Sequence, residues 1–258
     1  MLGWSLNLFR ICGIQLAVHA SFLLMLAYVA WEGWSDAGWL GAGWSVAYML
    51  TLFICVTLHE LGHATAARYF GVRVPRILLL PIGGMAEMET IPRRPREEII
   101  IALAGPAVNY LIIALLLIVV RFPANWQPLD FSFSLMELGR HLIVVNLIMG
   151  VFNLLPAFPM DGGRVFRALL AMKLRYLRAT QIAVGVGKVV ALAGATYLIY
   201  LGQYMGGVLF VFIIYAGETE LQSVVRLERA AQHWRDLQAR AHPPIQLRPE
   251  DDQPRGLF

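Results

Sequence analysis

Six apolar stretches divide the chain, and most are long enough to cross a bilayer as a helix. A spanning helix needs about 20 consecutive apolar residues. The stretches that reach or approach this length lie at residues 14–31, 43–69, 98–120, 139–155, 181–201 and 208–216. The last is short, but counted from Gln203 it has about 14 residues, enough for a thinned or protein-lined region. The pattern predicts an all-α polytopic membrane protein with about six transmembrane helices.

The segment between the second and third stretches has a different pattern. Residues 71–89 are rich in β-branched residues and are interrupted by glycine and proline, which is too broken for a helix. We expect two or three short strands joined at residues 81–84, forming a small membrane-associated β-sheet between helices 2 and 3. A loop that covers the second helix is the alternative.

The pattern changes again after residue 217. Residues 218–240 carry apolar side chains on one side of a predicted amphipathic helix, and residues 242–258 are charged and proline-rich, which is typical of disorder. The chain is therefore predicted to have a membrane domain at 1–217 and a cytosolic helix and tail at 218–258.

Composition and charge agree with a membrane protein. Hydrophobic residues make up 58% of the chain and charged residues 15%, whereas soluble domains have about 25% charged residues. The net charge of +4 does not favour nucleic acid, because most cations lie in short loops beside the apolar stretches. With six spans, 18 of the 21 Lys and Arg residues lie on the same side of the membrane as both termini. The positive-inside rule makes that side cytoplasmic. We expect a multi-pass cell-membrane protein with both termini in the cytoplasm.

The second predicted span contains His59, Glu60 and His63 in the pattern H-E-x-x-H. On a helix the two histidines are four residues apart and leave the same face, so both can bind one zinc ion. Glu60 lies on a neighbouring face, from which it can take a proton from a water molecule that the metal activates. Ionisable residues inside a membrane are costly and are candidates for function. A buried His/Glu hydrogen-bonded cluster is the alternative.

A catalytic zinc site needs a third protein ligand and an open position. Asp161 is a candidate, because it follows the fourth span after two prolines and precedes two glycines that allow a sharp turn. A simple Asp-Gly-Gly turn is the alternative.

Other polar residues lie inside predicted spans. Asn109 follows a small-residue patch and is expected to pack against the helices of the site. Asn146 and Asn153 are seven residues apart, so they share a helical face directed toward the site. Lys188 is expected to extend to the interface, with substrate contact as the alternative.

His59-Glu60-Leu61-Gly62-His63, the Asn-Leu-Leu-Pro of residues 153–156 and the Phe-Pro-Met-Asp-Gly-Gly-Arg of residues 158–164 together resemble the site-2 protease family. These are intramembrane zinc metalloproteases, and the resemblance covers about residues 10–217. It implies one zinc per chain bound by His59, His63 and Asp161, with Glu60 as the catalytic acid and base. It also implies that Asn153 helps to hold the substrate or the oxyanion. Family members of this type often carry paired CBS domains, which we do not expect here.

The sequence therefore predicts a zinc endopeptidase that hydrolyses peptide bonds in or near the transmembrane segments of single-pass membrane proteins. Its partners would be those substrates and the lipid bilayer, with a homodimer compatible with the sequence. The alternative is a zinc transporter or a non-catalytic zinc-binding scaffold, which would need the metal ligands but not Glu60 as a base.

Overall fold

A computed structural model describes residues 4–81, 83–89, 94–123, 126 and 133–241. It contains four strands and six helices within these residues. The elements, in chain order, are β1 (Ser5–Ile11), β2 (Ile14–His19), α1 (Ala20–Tyr69), β3 (Arg76–Leu80), β4 (Gly83–Glu87), α2 (Pro95–Val119), α3 (Leu135–Asn153), α4 (Asp161–Ala171), α5 (Tyr176–Tyr200) and α6 (Tyr204–Ala241). Five of the described helices, all except α4, are long and apolar enough to cross a membrane. The predicted class, a helical membrane protein with a small sheet, is confirmed.

The first of these helices, α1, is a helical hairpin and accounts for two predicted spans. Its backbone leaves helical geometry at Ala37 and Gly38, where Gly38 has a φ of 60° that favours glycine. The rings of Phe22 and Phe53 lie 4.4 Å apart. In a straight helix they would be about 46 Å apart, so the two halves must run antiparallel. With α1 counted as two segments, the structure agrees with the six predicted spans.

The beginning of the predicted first span is wrong. Residues 14–19 form β2 rather than helix, and the helix begins at Ala20 after His19, whose side chain accepts a hydrogen bond from the Ser21 N–H. A buried apolar run of this length is compatible with either a helix or a buried strand. Four of the six β2 residues are buried, which explains why no polar alternation marked the strand.

The sheet is consequently larger than predicted. Its four strands are in the order β1-β2-β3-β4. The predicted strands β3 and β4 form an antiparallel pair, whereas β2 joins β3 in parallel. A parallel pair needs a crossover connection, and here α1 provides it.

The end of the chain also differs from the prediction. The predicted sixth span and the amphipathic helix after it form one continuous helix, α6, which is about 57 Å long at 1.5 Å per residue. It begins after a tight turn in which Gly202 has a φ of 76°. Helix α6 continues through residue 217 without a break, so the predicted division into two domains at that residue stays a prediction. The predicted tail at 242–258 lies outside the described residues.

Helix α2 lies at the centre of the helical packing and contacts α1, α3 and α4. It approaches α1 closely at Gly62, where an added Cβ would lie 2.7 Å from the Ala104 carbonyl oxygen. Helices α5 and α6 pack on each other and meet the turn before α4, where Ala157 and Met160 are buried with Ala191 and Ile213. This arrangement brings the second half of α1, α2 and the start of α4 together.

The α1 hairpin gives a test of the fold. A Cβ at Gly41 would lie 2.1 Å from the Gly33 carbonyl oxygen, whereas a Cβ at Gly43 would meet nothing within 4 Å. We expect Gly41→Ala to lower the free energy of unfolding by about 1–3 kcal/mol through overpacking. Gly43→Ala should leave it unchanged or raise it slightly, since alanine is the better helix former. Thermal unfolding in one detergent compares the two variants, and equal melting temperatures would contradict the hairpin contact.

Candidate metal centre

The two histidines of the H-E-x-x-H pattern lie side by side in the second half of α1. His59 and His63 are 5% and 4% exposed, although they occur in a helix with many exposed apolar side chains. Their Nε2 atoms are 3.1 Å apart, as expected for residues one turn apart on the same face.

Asp161 reaches both histidines from a different element. It is the first residue of α4, and its Oδ2 lies 3.3 Å from Nε2 of His59 and 3.2 Å from Nε2 of His63. The two glycines after it have a different role from the predicted one. They are helical, and added Cβ atoms would lie 2.2 Å from the Leu154 carbonyl oxygen and 2.7 Å from the Ala157 carbonyl carbon. They therefore allow close packing of α4 rather than a left-handed turn.

The hydrogen bonds of the imidazoles define where their protons lie. Nδ1 of His63 is 2.7 Å from the Ile101 carbonyl oxygen, which can only accept, so this Nδ1 carries the proton. Nδ1 of His59 is 2.9 Å from Oδ1 of Asn109, whose amide nitrogen donates to the Asn146 carbonyl oxygen. His59 is therefore also protonated at Nδ1. In the neutral tautomer with Nδ1 protonated, both Nε2 atoms present lone pairs toward Asp161.

Two imidazole nitrogens and a carboxylate oxygen thus converge in a buried space, and this donor set can hold a metal cation. Oδ2 of Asp161 has no hydrogen-bond donor among the described residues, and the three ligand atoms lie within 4.8 Å of one another. Two imidazole nitrogens and a carboxylate oxygen about 2.1 Å from a tetrahedral zinc would lie about 3.4 Å apart. The observed separations of 3.1–3.3 Å fit that geometry. Three protein ligands leave a fourth position open, as in catalytic zinc sites.

Helix α2 makes room for this group. An added Cβ at Gly105 would lie 2.2 Å from Nε2 of His63 and 2.8 Å from Cε1 of His59. Asn109, which is fully buried, orients His59, and the Ile101 carbonyl orients His63. The sequence predicts that Asn109 packs against the helices of the site, but it does not identify His59 as the partner, which lies 50 residues earlier in the chain.

Glu60 lies at the edge of the small sheet. Its Oε2 accepts a hydrogen bond from the backbone N–H of Ala86 in β4 at 3.2 Å. A Cβ at Gly84 would lie 2.6 Å from Cγ of Glu60, so the strand passes directly over this side chain. The predicted base is half-buried and is held by the strand rather than by the histidines.

Asn153 and Lys188 have different surroundings. Asn153 is the last residue of α3, is half-buried, and has no side-chain hydrogen-bond partner among the described residues. Lys188 donates to Glu218 of α6 at 2.6 Å, so it joins α5 to α6. Asn146 is fully buried, and its carbonyl group supports Asn109.

Comparisons with known proteins agree with this site. The sequence model of peptidase family M50 matches residues 47–127 and 130–194. A zinc metalloprotease of Methanocaldococcus jannaschii is 38% identical over 233 residues, covering 88% of this chain and 63% of the relative. Stage IV sporulation protein FB of Bacillus subtilis is 32% identical over 168 residues, covering 64% of this chain and 55% of the relative. This chain therefore spans a little over half the length of these curated relatives.

A solved structure is also similar. The site-2 protease from Methanocaldococcus jannaschii matches with a TM-score of 0.61 and 36% identity, covering 84% of this chain and 95% of that chain. The ligand set and the relatives' names agree on zinc as the metal.

Gly105 gives a test of the metal centre. We expect Gly105→Ala to displace the imidazoles and to lower zinc affinity by at least about 10–100-fold, the range seen when groups that orient metal ligands are removed. Gly185→Ala in α5 is the matched control, since a Cβ there would meet nothing within 4 Å. Zinc per chain is measured after equilibration with a chelator. Equal zinc retention by the two variants would contradict this placement of the metal.

Proposed function

The chain belongs to peptidase family M50, the site-2 protease family, and on that basis we propose that it hydrolyses peptide bonds in or near transmembrane segments of single-pass membrane proteins. The observation that carries the proposal is the convergence of three buried ligand atoms near a second, separate carboxylate. His59, His63 and Asp161 supply the ligand atoms, and Glu60 lies next to His59 in the chain.

We assign the metal ligands and the base to different residues. His59, His63 and Asp161 would hold one zinc ion, which would polarise the scissile carbonyl and lower the pKa of a water molecule to about 7. Glu60 would take the proton of the attacking water and return it to the leaving amine. Glu60 is half-buried, and its Oε2 is bound to the backbone of the sheet.

The free edge of β4 is the proposed substrate-binding element. β4 is the last strand of the sheet, so one of its edges has no neighbouring strand within the described residues. A substrate helix hides its carbonyl groups, and it must unwind before hydrolysis. An unwound segment could pair with this edge by β-augmentation. The Ala86 N–H donates to Glu60, so a substrate segment paired with this edge would lie beside the proposed base.

Asn153 is proposed as a polar group that orients the substrate or the oxyanion. It lies at the end of α3, immediately before the turn whose Leu154 and Leu155 carbonyl groups contact Gly162. Gly162 directly follows the metal ligand Asp161, so the backbone next to Asn153 packs against the backbone next to this ligand. Its lack of a described side-chain partner leaves the amide able to bind substrate.

The proposed location is the cell membrane, with both termini in the cytoplasm. Most Lys and Arg residues fall on one side of the predicted spans, and cationic loops remain on the cytoplasmic side. The substrates we propose are single-pass membrane proteins within the bilayer, and a homodimer is compatible with the chain.

Glu60→Gln separates proteolysis from zinc transport. We expect this variant to bind about one zinc per chain and to cleave a single-pass model substrate about 10²–10⁴-fold more slowly, because the base is lost. Glu97→Gln, which removes a carboxylate paired with Arg94, is the control and should cleave normally. Cleavage and zinc content are measured in the same lipid preparation. If wild type binds zinc and cleaves none of several substrates, while zinc crosses the bilayer, the transporter hypothesis replaces the protease.

Asn153→Ala tests the proposed oxyanion contact. We expect kcat to fall by about 10²–10³-fold, as when one oxyanion donor is removed, while zinc content stays that of the wild type. Initial rates over a range of substrate concentrations give kcat and KM separately. A rate within about twofold of wild type would remove Asn153 from the mechanism, since an oxyanion donor is worth far more.

A further inference from the structure

The helix that carries Asp161 also carries a completely buried arginine. Arg167 lies in α4 and is 0% exposed. Its guanidinium carbon is 4.9 Å from the centre of the Phe158 ring and 5.0 Å from that of Tyr176. The two aromatic rings hold the guanidinium by cation–π contacts, which strengthen when the cation is removed from water.

Two carboxylates from different helices form ion pairs with this arginine. Nε of Arg167 donates to Oε1 of Glu98 in α2 at 2.8 Å, and Nη2 donates to the same oxygen. Nη1 donates to Oε1 of Glu220 in α6 at 2.5 Å. Glu98 is itself 3% exposed. A buried charge that loses its partner is strongly unfavourable, so these contacts resist separation of the three helices.

The position of the network gives it a specific consequence for the metal centre. Glu98 lies one helical turn before Ile101, whose carbonyl oxygen binds His63. Arg167 lies about two turns after Asp161 on an α4 of 11 residues. The link between Glu98 and Arg167 therefore joins the helix that orients the histidines to the short helix that presents the carboxylate.

We propose that Arg167 is a positioning residue that holds Asp161 against His59 and His63. Through Glu220 the same guanidinium couples the position of α6 to the metal centre. The inference deepens the proposed function and rests on it, because Asp161 acts as a metal ligand there. A lysine could keep the charge but could not bind both carboxylates in the planar geometry of a guanidinium.

A second ion pair offers an internal comparison. Lys188 and Glu218 join α5 to α6 at 2.6 Å, but their side chains are 43% and 40% exposed, and the ion pair described for them links only these two helices. Glu218 lies two residues before Glu220 in the same helix. Loss of the Lys188–Glu218 pair should weaken the packing of α5 on α6 without moving Asp161.

The test measures zinc release into excess chelator from full-length protein in lipid nanodiscs. We expect Arg167→Lys and Glu220→Gln to release zinc about 10–100-fold faster than wild type, the range for groups that support metal ligands. Glu218→Gln should release zinc at the wild-type rate. Gly41→Ala, which is destabilised far from the site, should also retain the wild-type rate, and this separates positioning from a general loss of stability.

Cobalt substitution supplies a spectroscopic readout of the ligand set. Visible absorption of the cobalt form should change in Arg167→Lys and stay that of wild type in Gly41→Ala. Wild-type zinc release and an unchanged cobalt spectrum in folded Arg167→Lys and Glu220→Gln would overturn the proposal. Asp161→Ala distinguishes a failure of the positioning role of Arg167 from a failure of the proposed metal site. If it also retains zinc and the wild-type spectrum, Asp161 is not a ligand and the proposed metal site itself fails.

Discussion

Two imidazole Nε2 atoms and one carboxylate oxygen meet in this protein in a single buried group. The Nδ1 atoms of His59 and His63 are committed as donors to Asn109 and Ile101, so both Nε2 lone pairs face the Asp161 carboxylate. In an apolar bundle such a cluster is repulsive unless a cation occupies it. The orientation of the metal ligands therefore depends on the hydrogen bonds around the site, and the packing of the helices has to keep those bonds in place.

One face of α2 provides most of the contacts that keep the metal ligands in place. Glu98, Ile101, Gly105 and Asn109 follow one another at intervals of three or four residues, so they lie on one face of the helix. Glu98 binds Arg167 of α4, and the Ile101 carbonyl orients His63. Gly105 leaves space beside the imidazoles, and Asn109 orients His59. A helix that supplies no metal ligand thus determines the geometry of the ligands on α1 and α4.

The sequence predicted the parts of this site that depend on short-range spacing. His59 and His63 share a face because they are four residues apart, and Asp161 was found from the proline and glycine residues around it. The roles of Asn109 and Arg167 depend on partners tens of residues away, and a single polar residue in a span does not identify its partner. Strand β2 was missed because four of its six residues are buried, so its apolar run has no regular alternation. The extent of α6 was missed because an amphipathic segment can continue a spanning helix without a sequence break.

The parallel pairing of β2 with β3 has a consequence for biosynthesis. Residues 14–19 are translated before α1, yet their partners at residues 76–80 are translated after it. Because both strands belong to one sheet, α1 must leave and return to the same side of the bilayer before they can pair. Closure of the sheet therefore depends on the α1 hairpin having first returned the chain to residues 14–19. The strand edge beside Glu60 would thus be assembled only in chains whose first two membrane segments are already in place.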